Sequence, residues 1–339
     1  MMEDRLQSFL SDGLTPNLSI AVANAQETVY RFHAGRFSFE RDEQINAQTR
    51  FDVGSTTKMF TAALLLKLAE NGEVTLDDPV RRYVPEFGIP QVTLAHLLTH
   101  TSGLRDRPLK WPALGRIRAY LDELYAHLSW HALPGQQHAY YTAGYTMLMD
   151  VIERVAGSPI EAFARETLFD PLGMKHTTYD TASLAAGEFT LPCQRSRPDR
   201  KDGVRLAAIG ETGLHSTAED LVRFGRMVLN KGKWEGVRIY LEPTIDQMFR
   251  ERTAGRHAFS ALGMLKSAEN PHRCFSDQNS PETVGHPGYS GCMLWIDPFY
   301  GLTGAIVTNS EDLHADWRHY RVLISLSIKQ ALEGGERNC

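Results

Sequence analysis

Cysteine is scarce, four residues in a chain of 339, and none is placed to work with another. Cys193, Cys274, Cys292 and Cys339 make no Cys-x-x-Cys pair and no metal spacing, so free thiols are expected rather than a disulfide framework or a zinc site. No apolar run reaches the roughly 18 residues of a membrane helix, and internal repeats and low-complexity tracts are missing. Solenoids and helical membrane spans are thereby set aside. Positive charge is not in excess either: the net charge of −5 weighs against a nucleic-acid partner. The opening Met1-Met-Glu-Asp-Arg-Leu-Gln-Ser-Phe has acids where a secretory signal needs a basic region and an apolar core. A cytoplasmic location without a membrane partner is expected, and no cofactor motif is present.

What is there, at 42% hydrophobic and 23% charged, is an ordinary globular composition. The length suits one large domain or two that share a core. The organising stretch is Phe51-Asp-Val-Gly-Ser-Thr-Thr-Lys-Met-Phe60, which runs into Thr61-Ala-Ala-Leu-Leu-Leu-Lys-Leu-Ala-Glu-Asn-Gly72. Residues 59–69 are apolar on nearly every helical face and Asn71-Gly72 is a stop signal, which predicts a helix buried all round. Ser55 and Lys58 stand three apart at its first turn, on one face, with hydroxyl and amine in reach of each other. A serine is a weak nucleophile without a base. A lysine serves as one where burial and the positive end of a helix disfavour its charged form. A Ser-x-x-Lys tetrad also arises by chance in a chain of this length, so its context has to decide.

The rest of the chain supplies that context. Residues 3–12 predict a short amphipathic helix, and Leu18-Ser-Ile-Ala-Val-Ala-Asn24 with Thr28-Val-Tyr-Arg-Phe-His33 predicts a β-hairpin. Thr93 is a candidate N-cap for a helix closed by Gly103. His96 and His100 have the spacing of a metal pair but no third ligand, so packed, hydrogen-bonded histidines are expected. Between Arg105 and Arg118 a basic stretch containing Arg107, Lys110, Trp111 and Arg116 reads as a solvated loop, or as a lid over an acidic or aromatic substrate. Tyr145, Leu148, Met149, Ile152 and Val155 mark a helix ending at Gly157. Ser158-Pro-Ile-Glu161 reads as a capping box for the next, ending near Asp170-Pro171, and Ser216-Thr-Ala-Glu-Asp220 as another. Residues 73–200 offer no convincing strand pairs. Glu282-Thr-Val-Gly-His-Pro-Gly288, Cys292-Met-Leu-Trp-Ile296 and Leu302-Thr-Gly-Ala-Ile-Val-Thr308 predict antiparallel strands, and a helix over 315–332 closes the chain. The expected fold is α+β: an antiparallel sheet flanked by helices and formed by the N- and C-terminal segments, with an inserted, mostly helical domain. The boundaries expected are 1–72 with 203–339 for the sheet domain and 73–202 for the helical one.

Four blocks in this order, Phe51 to Phe60, His96-Leu-Leu-Thr-His-Thr-Ser-Gly-Leu104, Pro134 to Tyr145 and Gly285-His-Pro-Gly288, resemble the serine β-lactamase and DD-peptidase superfamily. The resemblance is to its class C-like branch, with carboxylesterases and D-amino-acid amidases, and it spans nearly the whole chain. It implies the β-lactamase/transpeptidase-like fold, Ser55 as nucleophile and Lys58 as its base partner. Tyr140 falls at the family's second motif, Tyr-x-Asn, and is implied as general base or acid. Whether Lys58 or Tyr140 takes the serine proton stays open. His286-Pro-Gly288 occupies the third motif, commonly Lys-Thr-Gly or His-Thr-Gly, and the backbone N–H groups of Ser55 and Tyr289 are implied as the oxyanion hole.

The chain departs from the family at two places. Thr142 stands where the motif has asparagine, and one hydroxyl replaces an amide that donates and accepts together. Pro287 stands where a threonine hydroxyl helps hold a substrate carboxylate, and proline has neither hydroxyl nor N–H. Thr142, His286 and Gly288 are the expected substrate-binding positions. These losses point to a serine esterase or unusual amidase acting on a small-molecule ester or amide through an acyl-enzyme. A β-lactamase or D-amino peptidase, an acyltransferase, and a non-catalytic ligand-binding protein are the alternatives.

Overall fold

The computed structural model describes residues 2–105, 110–185, 187–196, 207–253, 258–266 and 274–336. After helix α1 (Met2–Ser11), strands β1 (Asn17–Asn24) and β2 (Thr28–Gly35) form the hairpin that the sequence predicts. Asn24 sets the turn: its Oδ1 accepts from the N–H groups of Gln26 and Glu27, each at 2.8 Å. Strand β3 (Arg50–Asp52) then leads through a 3₁₀ turn, Gly54–Thr56, into helix α2 (Thr57–Glu70). The middle of the chain carries α3 (Leu94–Leu98), α4 (Ile117–Ala126), α5 (Gly144–Ala156) and α6 (Ile160–Ala164), the last continued by a π turn over Arg165–Phe169. There follow β4 (Phe189–Thr190), β5 (His215–Ser216), α7 (Ala218–Leu229), β6 (Lys233–Trp234), β7 (Val237–Arg238) and α8 (Glu242–Phe249). The chain returns to the sheet with β8 (Met264–Leu265), β9 (Val284–Pro287), β10 (Met293–Asp297) and β11 (Leu302–Val307), then ends on α9 (Glu311–His314) and α10 (Arg318–Glu336).

The main sheet is antiparallel in the order β2-β1-β11-β10-β9-β8, so the N-terminal hairpin is completed by C-terminal strands. Alternation of side chains sorts each strand between two apolar layers. Leu18, Ile20 and Val22 of β1, with Met293, Trp295 and Ile306, face Leu6 and Phe9 of α1 and Tyr320, Leu323 and Ile324 of α10. Ala21, Ala23, Leu294, Ile296, Ala305 and Val307 face the other way, into a cluster that holds α2 and α7 and extends into α3, α4, α5 and α6. Helix α2 lies inside this second layer. Eleven of its residues, Thr57 to Leu66 and Leu68, are buried, which is why its apolar residues show no preferred face. At about 1.5–3 kcal/mol for each large apolar side chain, that burial fixes the helix as a rigid support.

Several local expectations are corrected. Helix α3 ends at Leu98, well before Gly103. Its cap is a reciprocal pair: Thr93 Oγ1 accepts from His96 N–H at 3.3 Å, and His96 Nδ1 accepts from Thr93 N–H at 3.2 Å. Ser158-Pro-Ile-Glu161 makes no capping box. Pro159 precedes α6 and the Ile160 N–H donates instead to Glu153 Oε1 at 2.9 Å, while the Glu161 carboxylate accepts from Tyr179 N–H and Thr178 Oγ1. At α7 Thr217 caps alone, because the Asp220 carboxylate is taken by His176 N–H and Thr177 Oγ1. The basic stretch is not all loop, since α4 begins at Ile117; residues 106–109, Arg107 among them, lie outside the described residues. A strand also interrupts the helical middle: β4 pairs in parallel with β3. Cys193, Cys274 and Cys292 are buried free thiols, and Cys339 lies outside the described residues. Among the described residues no helix is long and apolar enough to cross a membrane.

Candidate active site

The 3₁₀ turn before α2 presents Ser55 at the head of a helix packed on all sides. Gly54 is the condition for that turn. Its φ is +56°, and a Cβ there would lie 2.8 Å from the Tyr289 backbone nitrogen. The turn is pinned on both sides. Asp52 Oδ1 accepts from Gly54 N–H at 2.8 Å, and Thr56 Oγ1 donates to the His286 carbonyl at 2.9 Å. From the facing loop, Tyr289 OH donates to Asp52 Oδ2 at 2.8 Å and Ser290 Oγ to the Asp52 carbonyl at 2.6 Å. Gly288 is equally constrained, since a Cβ at that position would sit 2.1 Å from the Val53 carbonyl oxygen. The amides of Ser55 and Tyr289 thus border the same glycine.

Lys58 is fully buried. Its Nζ donates to Ser55 Oγ at 3.0 Å and to the Glu211 carbonyl at 2.9 Å, and it lies 5.3 Å from the centre of the Tyr140 ring and 5.6 Å from that of Tyr145. A buried amine is tolerated where acceptors satisfy its N–H groups and aromatic faces surround it. Tyr140 stands in the loop that enters α5 and is 40% exposed. Its hydroxyl points to His286 Nε2 at 3.4 Å, long for a hydrogen bond. The tautomer follows from the other ring nitrogen: His286 Nδ1–H donates to the Pro287 carbonyl at 2.8 Å, leaving Nε2 to accept from Tyr140.

The remaining positions singled out from sequence are placed less directly. Thr142 is half-buried at the turn into α5, where its carbonyl accepts from Tyr145 N–H at 3.1 Å. Strand β9 is the second strand from the edge, not the edge itself, because β8 covers it; β8 pairs only with Val284 and Gly285, so His286 and Pro287 lie past its end. Proline is admissible there for that reason. His96 is used in the α3 cap and His100 elsewhere, and no group of three metal-binding side chains occurs among the described residues.

Three residues that sequence reasoning did not assign to the site contribute to it, and the first, His100, is the packed, hydrogen-bonded histidine that the sequence predicts. His100 is fully buried, φ +55°, and its ring lies 4.3 Å from that of Tyr140 at 34°. Its Nδ1 faces the Tyr141 backbone, 3.1 Å from the N–H and 3.2 Å from the carbonyl oxygen. Burial first, then Lys58, His286 and His138, hold His100 well below its ordinary pKa, so it sits neutral beside the lysine. Asp52 joins the serine turn to Tyr289, as above. Glu211, 1% exposed, lends its carbonyl to Lys58 and its carboxylate to Trp111 Nε1–H at 3.0 Å and Thr146 Oγ1 at 2.9 Å. A lone acid in Ile209-Gly-Glu-Thr-Gly-Leu214 was the one sequence signal for it.

The family model described as Beta-lactamase matches residues 2–327. An N-acetylmuramyl-L-alanine amidase of Bacillus subtilis is 24% identical over 318 residues, 82% of this chain and 72% of that one. Among solved structures, EstCE1, described as a hydrolase with promiscuous acyltransferase activity, superposes with a TM-score of 0.79 at 20% identity, covering 96% of this chain and 97% of its own. A penicillin-binding protein homologue from Caulobacter crescentus gives 0.78 at 21% identity over 96% of each. The chain belongs to the beta-lactamase family, and its fold is that of the serine β-lactamases and transpeptidases.

Proposed function

We propose that the protein is a serine hydrolase that acts through an acyl-enzyme on Ser55, with a small-molecule ester or an unusual amide as substrate. The observation that supports this best is the fully buried Lys58 amine 3.0 Å from Ser55 Oγ. Lys58 is the group in contact with the hydroxyl, so in this reading the neutral amine takes the serine proton as Oγ attacks the carbonyl carbon. Tyr140 passes a proton to the departing oxygen or nitrogen, and His286 orients the phenol. Water then releases the acyl group by the reverse proton movements. The N–H groups of Ser55 and Tyr289 hold the developing oxyanion, each such donor being worth about 2.7–4 kcal/mol. Thr142, His286 and Gly288 line the substrate. The proposal includes a division into a sheet unit, 1–72 with 203–339, bearing Ser55, Lys58 and His286, and a helical unit, 73–202, bearing Tyr140.

An amidase and a hydrolase with acyltransferase activity among the similar proteins support acyl chemistry. Thr142 and Pro287 argue for esters over β-lactams and peptides, because both remove polar contacts that an amide and a free carboxylate would use. Hydrolysis of a p-nitrophenyl ester series beside nitrocefin, with Ser55→Ala as control, tests the reading. Ser55-dependent ester turnover with negligible nitrocefin turnover is expected. Efficient nitrocefin hydrolysis would replace it with the β-lactamase reading, and absence of Ser55-dependent turnover would remove the esterase and leave a selective amidase or the binding protein. Product analysis with an added alcohol or amine separates hydrolase from acyltransferase.

A further inference from the structure

Glu211 ties together parts of the chain that are far apart in sequence. Its carbonyl holds Lys58, Oε2 accepts from Thr146 Oγ1 on α5, and Oε1 accepts from the indole N–H of Trp111. The segment around Trp111 has a second tether, from Ala207 N–H to the Pro112 carbonyl at 2.9 Å. Held in this way, the indole lies 5.4 Å from the Tyr289 ring at 49°. Tyr289 is the residue whose amide borders Gly54 beside Ser55.

From this geometry we infer that Trp111, latched by Glu211, is the wall of an apolar acyl-group subsite and sets the protein's preference for long or aromatic acyl chains. The inference rests on the acyl-enzyme reading of Ser55. Tyr140 and His286 mark the side from which a leaving group is protonated. Trp111 is anchored instead through Glu211 and against Tyr289, whose amide borders Gly54, and in this inference its indole faces the acyl chain. A partly buried indole fits an apolar substituent, because covering its face removes apolar area from water on both partners. The latch decides its position. An indole has two χ angles and swings as a unit, so the single N–H bond to a buried carboxylate selects one orientation. Glu211 is thus a positioning residue and Trp111 a specificity-determining one. The contact to Thr146 links the same carboxylate to the helix that follows Tyr140.

The test compares kcat/KM for p-nitrophenyl acetate, hexanoate and phenylacetate in the parent protein, Trp111→Ala, Trp111→Phe and Glu211→Gln, with Ser55→Ala as blank and circular dichroism to show folding. The readout is the ratio of hexanoate or phenylacetate to acetate. A hydrophobic subsite discriminates by roughly 10- to 200-fold. Trp111→Ala is therefore expected to lower the ratio by at least about tenfold. Trp111→Phe, which keeps an aromatic surface but loses the N–H, is expected to lower it less. Glu211→Gln, which keeps the shape but has one acceptor oxygen for two donors, is expected to fall between Trp111→Phe and the parent. Ser55-dependent turnover with an unchanged ratio in folded Trp111→Ala and Trp111→Phe overturns the subsite and leaves the hydrolase standing. If Trp111→Ala fails to fold, Trp111→Phe alone decides. No Ser55-dependent turnover in the parent overturns the esterase reading and the subsite together.

Discussion

The ring of Tyr140 lies against that of His100, centroids 4.3 Å apart, and His100 in turn is closed off from water and kept neutral. An imidazolium here would stand beside the Lys58 amine in a site closed off from water, which burial and that neighbour both disfavour. The sign of the pH effect follows. Above about pH 6.5 the ring is neutral folded or unfolded and contributes nothing to the pH dependence of stability. Below it the unfolded chain takes up a proton that the folded chain refuses, so stability falls with pH.

His100→Asn is expected to reduce that acid sensitivity. Asparagine tolerates the positive φ and its Oδ1 can accept from Tyr141 N–H. The loss of stability between pH 7 and pH 5, read from urea unfolding, should become shallower by up to about 1.4 kcal/mol per pH unit, the value for one proton. It should not vanish, since burial also lowers the pKa of His33, His96 and His314. An unchanged slope would mean that His100 is protonated in the folded protein.

Gly54→Ala is expected to damage both fold and site. The strained φ and the 2.8 Å approach to the Tyr289 nitrogen place the cost at about 1–3 kcal/mol of stability. The same clash moves the Tyr289 N–H from its place beside Ser55, and loss of one such donor lowers kcat by about 10²- to 10³-fold. Gly88→Ala is the control, because nothing lies within 4 Å of its Cβ position and its φ is ordinary. A Gly54→Ala protein with full activity would remove Tyr289 from the oxyanion hole.

Lys58→Met separates catalysis from stability. The thioether fills a similar volume and removes a polar amine from a fully buried position, so the melting temperature is expected to be no lower than the parent's. Turnover is expected to fall by about 10⁴-fold or more, as when the base of a nucleophile–base pair is lost. A variant that melts markedly lower would show that the lysine's bonds to Ser55 Oγ and the Glu211 carbonyl outweigh its desolvation.

What sequence conveyed and what it hid divide along a physical line. The α2 run, the β1–β2 hairpin and the β10–β11 pair were legible because each is decided by local periodicity and a turn residue. Ser55 and Lys58 could be paired because one helical turn relates them. Strands β3, β4 and β5 escaped, being two or three residues long and held by partners from distant segments. Ser158-Pro-Ile-Glu161 misled because a capping box is a competition, and Glu153 reaches the Ile160 N–H first. The latch of Trp111 on Glu211 spans 100 residues and has no spacing to read.

The two departures from the family motifs make the final prediction. In Thr142→Asn the amide adds a donor and an acceptor on a longer stem, at a half-buried position beside Tyr140. In Pro287→Thr a hydroxyl and an N–H return to a stretch of β9 that β8 does not pair with. Together they restore contacts that an amide with a free carboxylate can use and a simple ester cannot. The double variant is expected to raise kcat/KM for a peptide ending in D-alanyl-D-alanine, which offers an amide and a free carboxylate, relative to p-nitrophenyl acetate by about tenfold or more, since a site built to hydrogen-bond its substrate discriminates strongly. Each single variant should give part of that change. If the ratio stays where it is, substrate choice is set elsewhere in the cleft, and the acyl wall at Trp111 becomes the principal determinant.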